Sequence, residues 1–116
     1  MAEARYKYAE DKLSTAVYIL ATGKGDVRSR LFDAFMEFHP VNSDDFPAEL
    51  LEDWLWIKKQ LTKFGPVYGA DNEVKMGSVR HTLNRIKNST GEKIAQRIYN
   101  LSANLTYYLD DLATER

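Results

Sequence analysis

Toward the C-terminus, apolar residues recur at Ile94, Ile98, Leu101, Leu105, Tyr108 and Leu112, spaced by fours and threes. On an α-helix that spacing forms one narrow ridge with a period of about 3.5 residues, suited to lengthwise packing against another helix. A helical period also runs through the N-terminal half. Leu13, Ala16, Val17 and Leu20 follow the i, i+3, i+4, i+7 rule, and Tyr6 and Ala9 extend their face. They predict a first helix from Arg5 to Ala21. Thr22-Gly23-Lys24-Gly25 stops it, because glycine readily takes the left-handed backbone that ends helices.

Asp26 is a suitable N-cap for a second helix, its carboxylate accepting the free N–H groups of the first turn. Val27, Leu31, Ala34, Phe35 and Phe38 form the predicted buried face, and Pro40 disfavours helical backbone at His39. A third helix is read from Pro47 to Thr62, with proline in its first turn and Leu50, Trp54, Ile57 and Leu61 pointing one way. Trp56 lies about 200° around that helix from Trp54 and belongs to a different surface. Between Lys63 and Gly77 the helical period is lost. A short hairpin turning at Asp71-Asn72 would set Val67-Tyr68 against Val74-Lys75-Met76. Ser78 is expected to cap a fourth helix that buries Val79, Leu83 and Ile86. Ser89-Thr90-Gly91-Glu92 matches a capping box and is expected to open the last helix, which runs to Leu112. The fold class is therefore all-α: a compact bundle of five helices in a single domain over residues 1–116, with a short β-hairpin in the 63–77 loop.

Composition narrows the chemistry. Seven Tyr, five Phe and two Trp in 116 residues supply large side chains for a core that has no disulfide to support it, since the chain lacks cysteine. Thiolate metal sites and cysteine nucleophiles are excluded, and a reducing cytoplasmic setting is expected. The charged N-terminus does not read as a signal peptide, and the uncharged stretches are too short to span a bilayer. No membrane association is expected. The net charge of −1 conceals an uneven distribution. From Asp26 to Trp56, eight acids face only Arg28 and Arg30; from Lys75 to Arg97, six bases face only Glu92. Such a chain can pair with itself or offer its basic part to an anionic partner.

Three surfaces are candidates for function. The first is the last helix with its neighbourhood: Ile98, Leu101, Leu105, Tyr108 and Leu112 on the ridge, Tyr99 and Tyr107 off it, and Trp56. These residues would form an interface with a second copy or another protein, or else the ridge would cover the chain's own core. Trp56 would be shielded by the Phe64–Tyr68 loop or exposed at a contact. The second is a basic helix in which Arg80, Asn84, Arg85 and Lys87 offer side chains suited to phosphates and base edges. Its competitor is a solvated face that pairs with the acidic second and third helices. The third, Thr22-Gly23-Lys24-Gly25 with Arg28 and Arg30, has the look of a phosphate cradle but lacks the P-loop spacing, and reads as a helix terminus. His39 and His81 are the only histidines, and neither has a ligand partner one helical turn away. No catalytic residue, metal site or cofactor is assigned.

Residues 21–31 (Ala21-Thr22-Gly23-Lys24-Gly25-Asp26-Val27-Arg28-Ser29-Arg30-Leu31) and 85–95 (Arg85-Ile86-Lys87-Asn88-Ser89-Thr90-Gly91-Glu92-Lys93-Ile94-Ala95) resemble stretches of short uncharacterised bacterial helical proteins. The resemblance implies a bacterial, cytoplasmic setting and carries over no activity, ligand or site residue. The function expected from the residues is a non-enzymatic protein-interaction or regulatory module that self-associates through its last helix; the alternative is a small nucleic-acid-binding protein using the basic helix.

Overall fold

The helical periods become five helices in a computed structural model describing residues 2–115. They are α1 (Ala2–Thr22), α2 (Val27–Phe38), α3 (Leu51–Leu61), α4 (Ser78–Arg85) and α5 (Asn88–Thr114). Two 3-10 turns, Ser43–Asp45 and Ala48–Leu50, link α2 to α3, and an antiparallel hairpin of β1 (Val67–Tyr68) and β2 (Val74–Met76) links α3 to α4. Its turn contains Asn72 at φ +63°, in the left-handed region that asparagine tolerates better than most residues. The long helices α1 and α5 run antiparallel: Tyr6 meets Tyr108 edge-on at 5.8 Å, while Val17 lies across a groove from Ala95. The molecule measures 56 × 29 × 19 Å, a slab about two helices thick.

The core is the α5 ridge and what it touches. Ile94, Ile98, Leu101 and Leu105 are buried against α1, α2 and α3, and Leu109 extends the line. Each large aliphatic side chain removed from water contributes about 1.5–3 kcal/mol. At one end Trp54 stacks on Phe46 at 4.9 Å and meets Phe38 edge-on at 5.8 Å. Leu50, Ile57 and Leu61 are buried with Trp54, as their spacing on the third helix predicts. Phe35 departs from expectation in being only half-buried, with its ring against Phe38 and His39.

Several helix ends differ from the sequence reading. Asp26 does cap α2, accepting from the Ser29 N–H at 3.1 Å. Ser78 does not cap α4; it is the first helical residue, and Gly77 precedes it without a side-chain bond. The Ser89–Glu92 capping box does not form either. The link between α4 and α5 is only Ile86-Lys87, in extended backbone, so α5 has already begun at Asn88 and Ser89 lies inside its first turn. A capping box occurs instead at the 3-10 turn, where Asn42 accepts from Asp44 N–H and Asp45 accepts from Asn42 N–H, both at 2.9 Å. Pro47 precedes the second 3-10 turn rather than sitting in the first turn of α3. His39 keeps helical dihedrals despite Pro40, and its N–H closes α2 on the Phe35 carbonyl.

The α1–α2 turn is clasped by a side chain that no helical pattern reveals. Arg30 donates to the carbonyls of Leu20 and Gly25, satisfying groups that a helix end and a turn leave open. Gly25 itself sits at φ +87°, which an L-residue with a Cβ would adopt only under strain. Gly91 serves a different purpose, close approach. A Cβ there would lie 2.9 Å from Cγ1 of Val27 and 3.4 Å from Cδ1 of Leu31, so α5 begins almost in contact with α2. In Gly91→Ala, helix propensity returns at most about 1 kcal/mol, while overpacking against a stiff valine costs about 1–3 kcal/mol. The expected net result is a lower denaturant midpoint with an unchanged m-value, measured by urea unfolding; a more stable variant would mean that α2 and α5 are not held this close.

Candidate binding surfaces

The residues singled out for an interface on α5 divide by burial. Ile98, Leu101 and Leu105 have no solvent exposure and are covered by the chain's own α1, α2 and α3. Tyr108 and Leu112 are half-buried against the same core, and burial, reinforced by the nearby Glu49 carboxylate, pushes the Tyr108 phenol pKa up. Tyr99 and Tyr107 alone of the α5 set stand in solvent, at 54 % and 68 % exposure. Trp56 is half-buried, and Arg97 lies over its ring at 4.3 Å while bonding Asp53 at 2.8 Å. That Asp53–Arg97–Trp56 stack joins α3 to α5, a cover for Trp56 that neither sequence reading named.

On the α1–α5 side an open groove of about 500 Å³ has an apolar floor of Val17, Leu20, Val27 and Ala95. Tyr99 and Gln96 from α5 stand at its edge, and Asp26 and Glu92 give it negative charge. Tyr8 and Tyr18 are exposed on α1, so each of the two longest helices carries two tyrosines in solvent. Tyrosine offers a large contact area with little side-chain entropy to lose.

The basic helix is arranged differently from its expected role. Arg80, Arg85 and Lys87 form no ion pair with the described acids of the second and third helices, whereas Arg97, at the end of the basic stretch, pairs with Asp53 of α3. Among the described residues, the arginines that meet a carboxylate are Arg28, with Asp26, and Arg97, with Asp53. Arg80 instead lies over the Phe32 ring of α2 at 4.0 Å, and Arg85 over Phe64 at 4.8 Å. The reason is geometric: α4 packs on α2, which brings Arg80 over the Phe32 ring, and the segment after α3 brings Phe64 beneath Arg85. Between α2 and α4 a second cleft of about 500 Å³ is lined by Arg28, Ser29, Phe32, Asp33, Arg80 and Asn84. Asn84 and Lys87 are exposed beside it.

The hairpin is anchored to α4 by a residue the sequence reading passed over. Thr82 is fully buried; its hydroxyl accepts from Phe64 N–H at 3.0 Å and donates to Phe64 C=O at 3.1 Å. His81 Nδ1 reaches the Gly65 carbonyl at 2.8 Å. Thr82 shares a face with Val79 and Leu83 and could have been found as a polar residue at a predicted core position. Beside the Gly23–Gly25 segment, Arg30 is engaged by carbonyls and Arg28 by Asp26 and the Ile86 carbonyl at 3.2 Å, so neither arginine is free for a phosphate, and the exposed cation of the segment itself is Lys24. Among the described residues no group of three or more His, Asp and Glu is placed to hold a metal ion, and no helix is long and apolar enough to cross a membrane. The chain matches no protein-family model, no curated protein and no solved structure.

Two of these contacts can be tested directly. Thr82→Val removes both hydrogen bonds and leaves the part-buried Phe64 N–H and C=O without this partner, an expected loss of about 1 kcal/mol or more, with faster amide exchange across residues 64–68. Unchanged exchange there would show that the anchor is elsewhere. The Ser29 N–H and the Arg28 guanidinium hold the Asp26 carboxyl below its ordinary 3.8. A depressed folded pKa stabilises the protein above 3.8 and stops doing so as the pH falls through the lower folded value. Asp26→Asn keeps the cap but not the charge. It should melt below wild type at neutral pH, with the gap closing in acid; a gap that persists there would contradict the assignment.

Proposed function

We propose that the chain is a non-enzymatic protein-interaction module whose working surface is the α1–α5 face, binding a second copy of itself or another protein. The observation that carries this reading is Tyr99, exposed by 54 % at the edge of the open apolar groove between α1 and α5, with Tyr18, exposed by 67 %, following the groove-lining Val17 in the chain. Exposed apolar residues scattered singly are ordinary, but aromatic side chains beside an open apolar groove are what interfaces are built from. The seam of α5 is not part of this surface, because its ridge is spent on the chain's own core. What self-association has left to use is the groove and Tyr99 at its edge.

The non-enzymatic part of the reading is supported by how the two histidines are used. His81 bonds a loop carbonyl, and His39 lies against Phe35 at the end of α2, 5.8 Å between rings. Neither stands beside an acid in a cleft. The lack of cysteine and the likeness of residues 21–31 and 85–95 to bacterial proteins support a bacterial, cytoplasmic setting.

Sedimentation velocity across a concentration series tests the surface. The expected wild-type result is a dimer or larger species that dissociates on dilution through the micromolar range. Tyr99→Ser and Tyr18→Ser, which touch no buried position, should each weaken it about tenfold, an ordinary effect for an aromatic at an interface. A wild type that stays monomeric throughout removes self-association and leaves a different protein as the occupant.

A further inference from the structure

The near-neutral charge of this chain is a sum over two ends of opposite sign. Lys63, Lys75, Arg80, Arg85, Lys87 and Lys93 are all exposed on the hairpin, α4 and the first turns of α5, where they outnumber the exposed acids Asp71, Glu73 and Glu92 by six to three. Asp110, Asp111 and Glu115 are exposed at the other end of α5, where Glu49 also approaches Tyr108. From Lys93 to Asp110 the helix rises by roughly 25 Å at 1.5 Å per residue. The Debye length at physiological salt is about 8 Å. The distant acids therefore do not neutralise the basic end, and the low net charge is no argument against an anionic partner there.

Three further features define that partner. Arg80 and Arg85 have no carboxylate within ion-pair distance among the described residues, and each lies over a ring while remaining exposed to solvent. Tyr68 on β1 is 60 % exposed, four residues on from the Phe64 that supports Arg85. The hairpin bearing Tyr68 is fastened to α4 through Thr82, His81 and the Asn84–Met76 contact at 3.7 Å. Cations that track a backbone, combined with flat side chains on which bases stack, are the recognition chemistry of single strands. A duplex reader would insert the start of α5 into a groove, but that start lies beside Asp26 and Glu92, which repel phosphate.

We propose that the hairpin–α4 end binds single-stranded nucleic acid, with Lys63, Lys75, Arg80 and Lys87 on phosphates and bases stacked on Tyr68 and Arg85. The test is fluorescence anisotropy with labelled oligothymidine and oligouridine of about 16 nucleotides, long enough for one small domain, beside a hairpin duplex of equal length and labelled polyglutamate. Binding of either single strand is expected, weakening steeply with salt as counterions are released. Arg80→Ala with Arg85→Ala should cost about tenfold or more. Tyr68→Ala should cost roughly fivefold or more with an unchanged melting temperature, because Tyr68 is exposed, and this guards against a folding defect in the arginine variant. No anisotropy change with either strand at low salt overturns the proposal. So does tighter binding of the duplex, binding of polyglutamate alone, or equal affinity in both variants.

Discussion

One packing contact organises this molecule: the ridge of α5 laid into the angle between α1, α2 and α3. Ile94, Ile98, Leu101 and Leu105 reach the core from a single face of one long helix, and every other helix except α4 is packed along it. The contact is tight at its start. Gly91 lets α5 begin against Val27 and Leu31, and the same closeness leaves only Ile86-Lys87 to connect α4 to α5. A connection that short leaves α4 little freedom. It sits on α2, and the hairpin before it is held in turn by Thr82.

That arrangement also disposes the charges. The acids of the second and third helices and the bases of the fourth are close in sequence numbering, and mutual neutralisation is the economical expectation. Packing takes precedence. Arg80 and Arg85 sit on rings because α4 packs on α2 and the segment after α3 lies beside it, and a guanidinium covers a ring without surrendering its outer hydrogen-bonding edge. Among the described residues only Arg97 combines both roles, lying over Trp56 and pairing with Asp53. The result is a slab whose apolar groove lies along α1 and α5 and whose cationic groups gather on α4 and the hairpin.

Much of this architecture is legible in the residue order because it is local. The 3.5- and 3.6-residue periods specify which faces of the helices are apolar, Asp26 marks a helix start by its own chemistry, and Val67-Tyr68 and Val74-Lys75-Met76 flank turn residues that accept left-handed backbone. Even the separation of Trp54 from Trp56 follows from the helical angle alone. Cap assignments at Ser78 and Ser89 failed for a local reason as well: capping residues identify a start only when the preceding link is long enough to leave them outside the helix, and neither Gly77 before α4 nor Ile86-Lys87 before α5 is.

The residue pattern by itself determined the helices, their apolar faces and the charge of each segment, since these depend on neighbours along the chain. It could not say whether the α5 ridge met another chain or its own, because a helix presents the same ridge to either; the fold decided that by closing α1, α2 and α3 over Ile98, Leu101 and Leu105. Nor could it place Arg30 on the Leu20 carbonyl, Thr82 on Phe64, or Arg97 between Trp56 and Asp53. Each of those contacts joins groups on different elements, and the distance between such groups is a property of packing.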